Sequence, residues 1–344
     1  SSSFHACGSY SVALRCSIVL LQEEEQMKHI VLITVLLLLA ACAGPATGPV
    51  KGVLIVYAPD ITLQDMDDLL EEIQLQVTTV EAENVFDFST CSIEDFRGDL
   101  KTRRTILFVI ENSHQLPDEL QVSNGIYRGE NIWAKDQYVL GIVLPDFTDT
   151  NALSNLLEQI YNNHLSSYIY SSFVSTQMSS PDRIDSLLAF GFSMDIPKSY
   201  HLEEWNPEAG FIQYQRNVSD TCLLMLSIRW IDDSVVLSPD EAVIWREAVA
   251  RNYFYDAAAD SVDRSSVGVQ PMDLRGLHGW KLLGMWRNPE HLNAGAFTSY
   301  ILRSNGRRYL LDMEIFHEHR EKEPYIREGW IIMNTFILGE YNDG

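Results

Sequence analysis

Cys222-Leu223-Leu224-Met225-Leu226-Ser227-Ile228-Arg229-Trp230 is the stretch on which the fold turns. Successive side chains of a strand point to opposite faces, so Cys222, Leu224, Leu226, Ile228 and Trp230 share one apolar face. Tyr309, Leu311, Met313 and Ile315 repeat the pattern within residues 309–316. Residues 211–215, 281–286 and 297–302 are further β-type runs. Between the strands, Ser238-Pro239-Asp240-Glu241 combines an N-cap serine, a proline at the first helical position and a glutamate at the third. It predicts a helix to about residue 255, with Ala242, Trp245, Val249 and Tyr253 inward. Residues 325–337 predict a closing helix that buries Ile326, Trp330, Met333 and Ile337. An antiparallel sheet with helices packed on it follows. This second domain is expected over residues 179–344, opened by Ser180-Pro181-Asp182.

The first half has a different rhythm. Residues 53–57, 105–110 and 138–143 are short, nearly continuous apolar runs of the kind that fill buried strands. Thr62 with Asp65 forms a capping box for a helix over residues 62–76, and Ser92 with Asp95 suggests a second helix. Leu153, Leu156, Leu157, Ile160, Tyr161 and Tyr168 mark one stripe of a long helix. Strands alternating with helices predict an α/β layer domain over residues 52–178. The fold class is α+β, in two domains.

Residues 27–42 have the three parts of a secretory signal: Met27-Lys28-His29, ten mostly aliphatic residues, then Leu39-Ala40-Ala41-Cys42. The apolar stretch is shorter than the ~20 residues that span a bilayer. Leu39-Ala40-Ala41-Cys42 resembles the lipobox of bacterial lipoproteins. That resemblance implies signal-peptidase recognition through Leu39, Ala40 and Ala41, and diacylglyceryl transfer to the Cys42 thiol. Residues 27–41 are then a signal peptide and residues 42–51, rich in Gly and Pro, a tether. Residues 1–26 are expected to be a non-native upstream extension, because Glu23-Glu24-Glu25 stands where a signal wants positive charge. By the same resemblance, Ala43 after the cysteine is not the aspartate that in some bacteria retains lipoproteins in the inner membrane, so the outer membrane is favoured.

The net charge of −23 falls almost wholly on the body, since the first 41 residues hold only Arg15 and Lys28 against three glutamates. Such a body repels nucleic-acid phosphates and anionic headgroups. Nucleic acid is thereby excluded as a partner, and a covalent lipid is what can hold the body at a membrane. Of the five cysteines, Cys7 and Cys16 precede the signal and Cys42 is the lipid site. Cys91 and Cys222 are expected to be buried free thiols, with a bridge between them open in an oxidising compartment.

Local catalytic signatures are missing: no phosphate loop, no nucleophile elbow, no Cys-x-x-Cys. His317-Glu318-His319 could place two histidines on one strand face, but a zinc site needs a third ligand. A strand end and turn beside Arg320, Glu321 and Lys322 is the plainer reading. Asp65, Asp67, Asp68, Glu71 and Glu72 lack the glycine and glutamate of a calcium loop and read as the solvated face of a helix. Catalytic, metal and cofactor residues are expected to be absent. Trp286, Arg287 and Phe297, beside Gly284 and Gly295, form a candidate binding surface.

Several segments together resemble the domain-of-unknown-function 4837 family of bacterial lipoproteins. They are Phe96-Arg97 through Arg104-Thr105-Ile106-Leu107, Trp133-Ala134-Lys135-Asp136-Gln137, and Phe192-Ser193-Met194-Asp195-Ile196-Pro197 ahead of Tyr200. The series continues through residues 211–216, Arg246, Gly284-Met285-Trp286, and Gly295-Ala296-Phe297 with Tyr300. Ala296 departs from the family pattern, which has proline there. The resemblance implies envelope localisation and supplies no activity. The second half is also similar to PsbP/Mog1-like α/β domains, which mostly bind proteins, a fold-level analogy. The expected function is a lipid-anchored, non-catalytic binding or scaffolding module for an envelope protein or polymer. The alternative is an envelope hydrolase using carboxylates or His317 and His319.

Overall fold

The computed structural model describes residues 44–171, 186–233, 235–254, 260–290, 293–304, 306–317 and 320–339. Two sheets organise it. The first has the order β4-β1-β5-β8-β7-β6, built from β1 (Gly52–Tyr57), β4 (Asp87–Ser92), β5 (Thr105–Ile110), β6 (Gln121–Ser123), β7 (Ile126–Glu130) and β8 (Tyr138–Val143). Strands β4, β1, β5 and β8 run parallel, and β7 and β6 add antiparallel to one edge. All six residues of β5 are buried, as a parallel strand covered on both faces requires. A small ribbon, β2 (Gln76–Thr78) with β3 (Ala82–Asn84), projects beside this sheet.

Helix α1 (Leu63–Ile73) starts at Thr62, where the reciprocal Thr62–Asp65 capping box is formed. Helix α2 spans Thr150–Ser171. Both contribute to one core with β1, β5 and β8. Two details differ from the sequence reading. Ser92 and Asp95 do bond to each other, but they close a turn only. Gly98, at φ +58°, lies outside helical space, and a short 3-10 turn over Gly98–Thr102 takes the helix's place. Tyr168 is 48% exposed while Ile169 and Tyr170 are buried. The last turn of α2 faces the second domain, where the Tyr170 hydroxyl donates to Asp195 O at 3.3 Å.

The second sheet has seven antiparallel strands in the order β10-β11-β12-β16-β15-β14-β13. They are β10 (His201–Asn206), β11 (Phe211–Ser219), β12 (Cys222–Asp232), β13 (Ser261–Leu274), β14 (Leu277–Asn288), β15 (Asn293–Ser304) and β16 (Arg307–His317). A two-residue pair, β9 (Phe192–Ser193) with β17 (Ile337–Leu338), sits apart. Cys222, Leu224, Leu226, Ile228 and Trp230 pack with Tyr309, Leu311, Met313 and Ile315 as the alternation predicts, under α4 (Glu323–Met333). Ile337 is exposed, because the closing helix stops at Met333 and the chain re-enters as strand. Helix α3 (Pro239–Tyr253) lies on the opposite face, its Ser238–Glu241 capping box formed. The protein is thus mixed α+β, with a helix on each face of the larger sheet.

Candidate functional site

The rings of Trp286 and Phe297 are not a surface. Phe297 is 0% and Trp286 6% exposed, and both belong to the core beneath α3. The strand register explains it: Gly284 pairs with Phe297 and Trp286 with Gly295, so each ring lies over a glycine. A Cβ on Gly295 would collide with the Trp286 ring and with Ile315 O. The glycines seat aromatic rings inside the sheet-helix layer, and of the candidate trio only Arg287 reaches solvent. This corrects the reading of Trp286, Arg287 and Phe297 as a binding surface.

Under the Phe297 ring lies chemistry that the sequence did not single out. The Arg246 guanidinium, on α3 and 1% exposed, sits 3.9 Å from the Phe297 ring centroid. It donates through Nε and Nη2 to Asp312, at 3.1 and 3.0 Å, and through Nη2 to Glu314 at 2.9 Å. Ser299 donates to the same Asp312. Both carboxylates are wholly enclosed, at 0% and 1% exposure. One cation here faces two acids. Asp312 takes the bidentate bond and the serine, and Glu314 a single bond. Burial, with Asp312 beside it, pushes the Glu314 carboxyl up to about 8.

On the other face a second cluster joins α4 to the sheet. Glu328, 3% exposed, accepts from the Tyr200 hydroxyl at 2.6 Å and from Arg216. Burial raises the Glu328 carboxyl above its ordinary range, against the pull of Arg216. Cys222 and His317 are directly paired across β12 and β16. The thiol is a free one, buried and pushed up by desolvation, which suits packing rather than attack. His317 holds Nδ1 3.0 Å from Glu321 O and stacks edge-on to Tyr325. His319, and the lipidation residues Leu39, Ala40, Ala41 and Cys42, lie outside the described residues. Among the described residues no three His, Cys, Asp or Glu side chains are grouped to hold a metal. Cys91 is also a free thiol but only half-buried, which corrects the expectation that both cysteines are buried: it lies on β4, an edge strand of the first sheet.

A third cluster occupies the seam between the two sheets. Arg327 on α4, 1% exposed, donates to Glu323 at 2.7 Å and to Glu158 and Asn162 of α2 at 2.9 and 2.8 Å. Tyr161 donates to Glu323 at 2.9 Å. Glu83, on the β2–β3 ribbon, accepts the backbone N–H groups of Lys322 and Glu323 at 2.6 and 2.7 Å. It therefore caps α4 from the other domain.

The open concavities lie elsewhere. One, of about 440 Å³, sits beyond the carboxyl ends of β1, β5 and β8. There the chain leaves β1 towards β4 on one side and β5 on the other, the switch point where open α/β sheets bind ligands. Its rim is acidic: Asp60, Asp65, Asp68, Glu72 and Glu111, all exposed. A neighbouring hollow of about 460 Å³ shares Glu111 and Phe147 with it and adds Asp146 and Asp149. The other, of about 300 Å³, lies on the α3 face of the second sheet, under the segment leading into α3. Its walls are apolar, and its ionisable residues are His278, Arg303 and Arg308.

These features define a two-sheet α+β protein in which three arginine–carboxylate clusters are buried, with one opening acidic and another apolar. Residues 182–335, the second sheet with α3 and α4, match the family described as Domain of unknown function (DUF4837). The earlier segments that suggested the same resemblance, residues 96–107 and 133–137, fall before the matched region. No curated protein matches the chain. Among solved structures it is similar to cyanobacterial PsbP (CyanoP) from Synechocystis sp. PCC 6803, at 11% identity, over 43% of this chain and 86% of that one, TM-score 0.33. It is also similar to LpqN, involved in cell envelope biogenesis of Mycobacterium tuberculosis, at 12% identity over 43% and 83%, TM-score 0.26. A Bacteroides thetaiotaomicron structure matches at 10% identity over 44% and 46%, TM-score 0.27. The architecture described above rests on the strand order itself. Among the described residues no helix is long and apolar enough to cross a membrane.

Proposed function

We propose that this chain is a lipid-anchored, non-catalytic binding module of the bacterial cell envelope. The carrying observation is the segment Met27 to Cys42, a short apolar signal ending in Leu39-Ala40-Ala41-Cys42. Two or three acyl chains on Cys42 hold a protein stably where one alone binds marginally. The acidic body then stands off an anionic leaflet on the tether, free to meet an envelope protein or polymer. What supports binding over catalysis is the partition of chemistry. Glu314 and Glu328, whose carboxyls burial pushes up, are sealed in the sheet-helix layers and bonded to arginines. A catalytic acid or base has to reach its substrate. The openings carry recognition chemistry instead: carboxylates at one, apolar walls at the other. Ala43 after the lipid site favours the outer membrane.

The test is metabolic labelling with palmitate. The wild-type chain is expected to take up label, and Cys42→Ala to lose it and leave the membrane fraction. Equal label on both proteins, or none on either, overturns the anchor. Affinity capture from detergent-solubilised envelopes tests the partner; recovery of the bait alone counts against a binding module.

A further inference from the structure

In a chain with 48 acidic and 25 basic side chains, the groove at the entrance to α3 has no carboxylate among the described residues that line it. Its roof is Val235 and Val236, 55% and 68% exposed, and its floor comes from β13, β14 and β15. Those walls offer almost nothing to a polar ligand. Trp280 spends its Nε1–H on Leu237 O at 2.7 Å, and Pro271 has no N–H to give. A peptide laid here would leave its own backbone groups unsatisfied, at a cost of roughly 1–3 kcal/mol each. An acyl chain has no such groups.

The charged end of the groove is built from Arg308. This residue is 7% exposed, its guanidinium stacks 4.4 Å from the Trp245 ring centroid, and Nη2 pairs with Asp233 at 2.8 Å. Its Nε and Nη1 are buried with no hydrogen-bond partner among the described residues. Buried donors without acceptors are uncommon and costly. Arg303 faces Arg308 across β15 and β16, so two guanidinium-bearing residues stand side by side at this end.

We propose that this groove is a binding site for a single-chain fatty acid: the hydrocarbon tail lies between Val236 and Trp280, and the carboxylate takes the unpartnered donors of Arg308. The volume, about 300 Å³, is at the lower end of small-molecule sites and suits one chain rather than a diacyl lipid. The site is separate from the anchor on Cys42 and from any macromolecular partner, so it stands or falls apart from the function proposed above.

Calorimetric titration of the full-length chain carrying Cys42→Ala, which keeps the anchor's acyl chains out of the assay, with laurate below micellar concentration tests it. Saturable one-to-one binding is expected. Arg308→Gln should weaken it by about tenfold or more, the value of a charge-assisted hydrogen bond. Val236→Asp, a change at an exposed position that leaves the fold intact, should weaken it comparably by setting a negative charge at the mouth. Dodecanol should bind at least tenfold more weakly than laurate, and dodecyltrimethylammonium not at all. Absence of saturable laurate binding overturns the proposal. So does unchanged affinity in Val236→Asp, or equal affinity for dodecanol.

Discussion

Arg246 carries a charge into the middle of a sheet-helix layer, and its consequences are measurable one residue at a time. Replacing it with methionine leaves Asp312 buried and uncompensated, which costs about 3–5 kcal/mol. Chemical denaturation of Arg246→Met should show that loss, and adding Asp312→Leu and Glu314→Leu should recover much of it if the cluster is purely structural. Glu314 supplies a pH signature. Its folded pKa, near 8, lies above the ordinary value of 4.5, so the folded state holds the proton more tightly. Its contribution to stability is therefore complete below about pH 4.5 and is lost as pH rises through about 8. Wild type should lose stability over that window by more than Glu314→Gln does, and superimposable pH profiles would refute the assignment. None of this was legible in the strand pattern. Tyr309, Leu311, Met313 and Ile315 mark the apolar face correctly, and the same alternation carries no sign that Asp312 and Glu314, on the other face, are dry. A single arginine, fourteen residues from the nearest strand end and 66 from its partner, makes that face dry.

Elements announced themselves where the signal is local. Both capping boxes are formed where Thr62-x-x-Asp65 and Ser238-x-x-Glu241 predict them, because the bonds close within four residues. Ser238→Ala should cost about 1 kcal/mol by removing the acceptor for Glu241 N–H, measured as a lowered denaturation midpoint with an unchanged slope. Unchanged stability would mean that Pro239 and the packing of α3 suffice. Ser92-x-x-Asp95 makes the two bonds of the serine hydroxyl but not the return bond to the Ser92 N–H, and it yields no helix, since Gly98 follows in left-handed space. Most of the sheet strands that went unseen are edges, β4, β6, β10 and β13, with β7 paired on both sides the exception. β13 contains Pro271, a bulge between Asp263 and Gly268, and mostly half-exposed side chains, so it lacks the alternation of a strand with a buried face. Edge strands tolerate that composition, and gain protection from unwanted pairing by it. The glycine–aromatic pairs were legible as pairs, but cross-strand register, which turned them inward, depends on which strands are neighbours.

At the scale of the whole molecule, the two sheets are joined by polar contacts that no local pattern encodes, because their partners lie up to 270 residues apart. Lys51, at the foot of the first sheet, pairs with Asp87 beside it and with Glu321 of the second domain, at 3.2 and 2.7 Å. Glu83 caps α4 across the seam, where the helix's own Lys322 offers no side-chain cap. Arg327 is the centre of the junction: it ties Glu323 on its own helix to Glu158 and Asn162 on α2, with Tyr161 beneath its guanidinium at 4.8 Å. Apolar packing also crosses the seam, with Ile331 of α4 against the first core and Val77 of the ribbon against the second, and contacts between domains are ordinarily loose. Here the buried charges make separation costly, since parting the domains would strip Arg327 of its α2 partners and α4 of its cap. The two sheets should therefore unfold together. Arg327→Ala leaves Glu323, 0% exposed, without its cation, at about 3–5 kcal/mol. The loss should fall on the seam, so that calorimetry resolves two transitions where wild type shows one. Amide exchange in β1 and β5 should then separate from exchange in β12 and β16. Glu83→Gln, which keeps an acceptor for the two N–H groups but removes the charge at the helix N-terminus, should weaken the coupling by less. One transition in Arg327→Ala, at the wild-type midpoint, would show that the seam does not couple the domains.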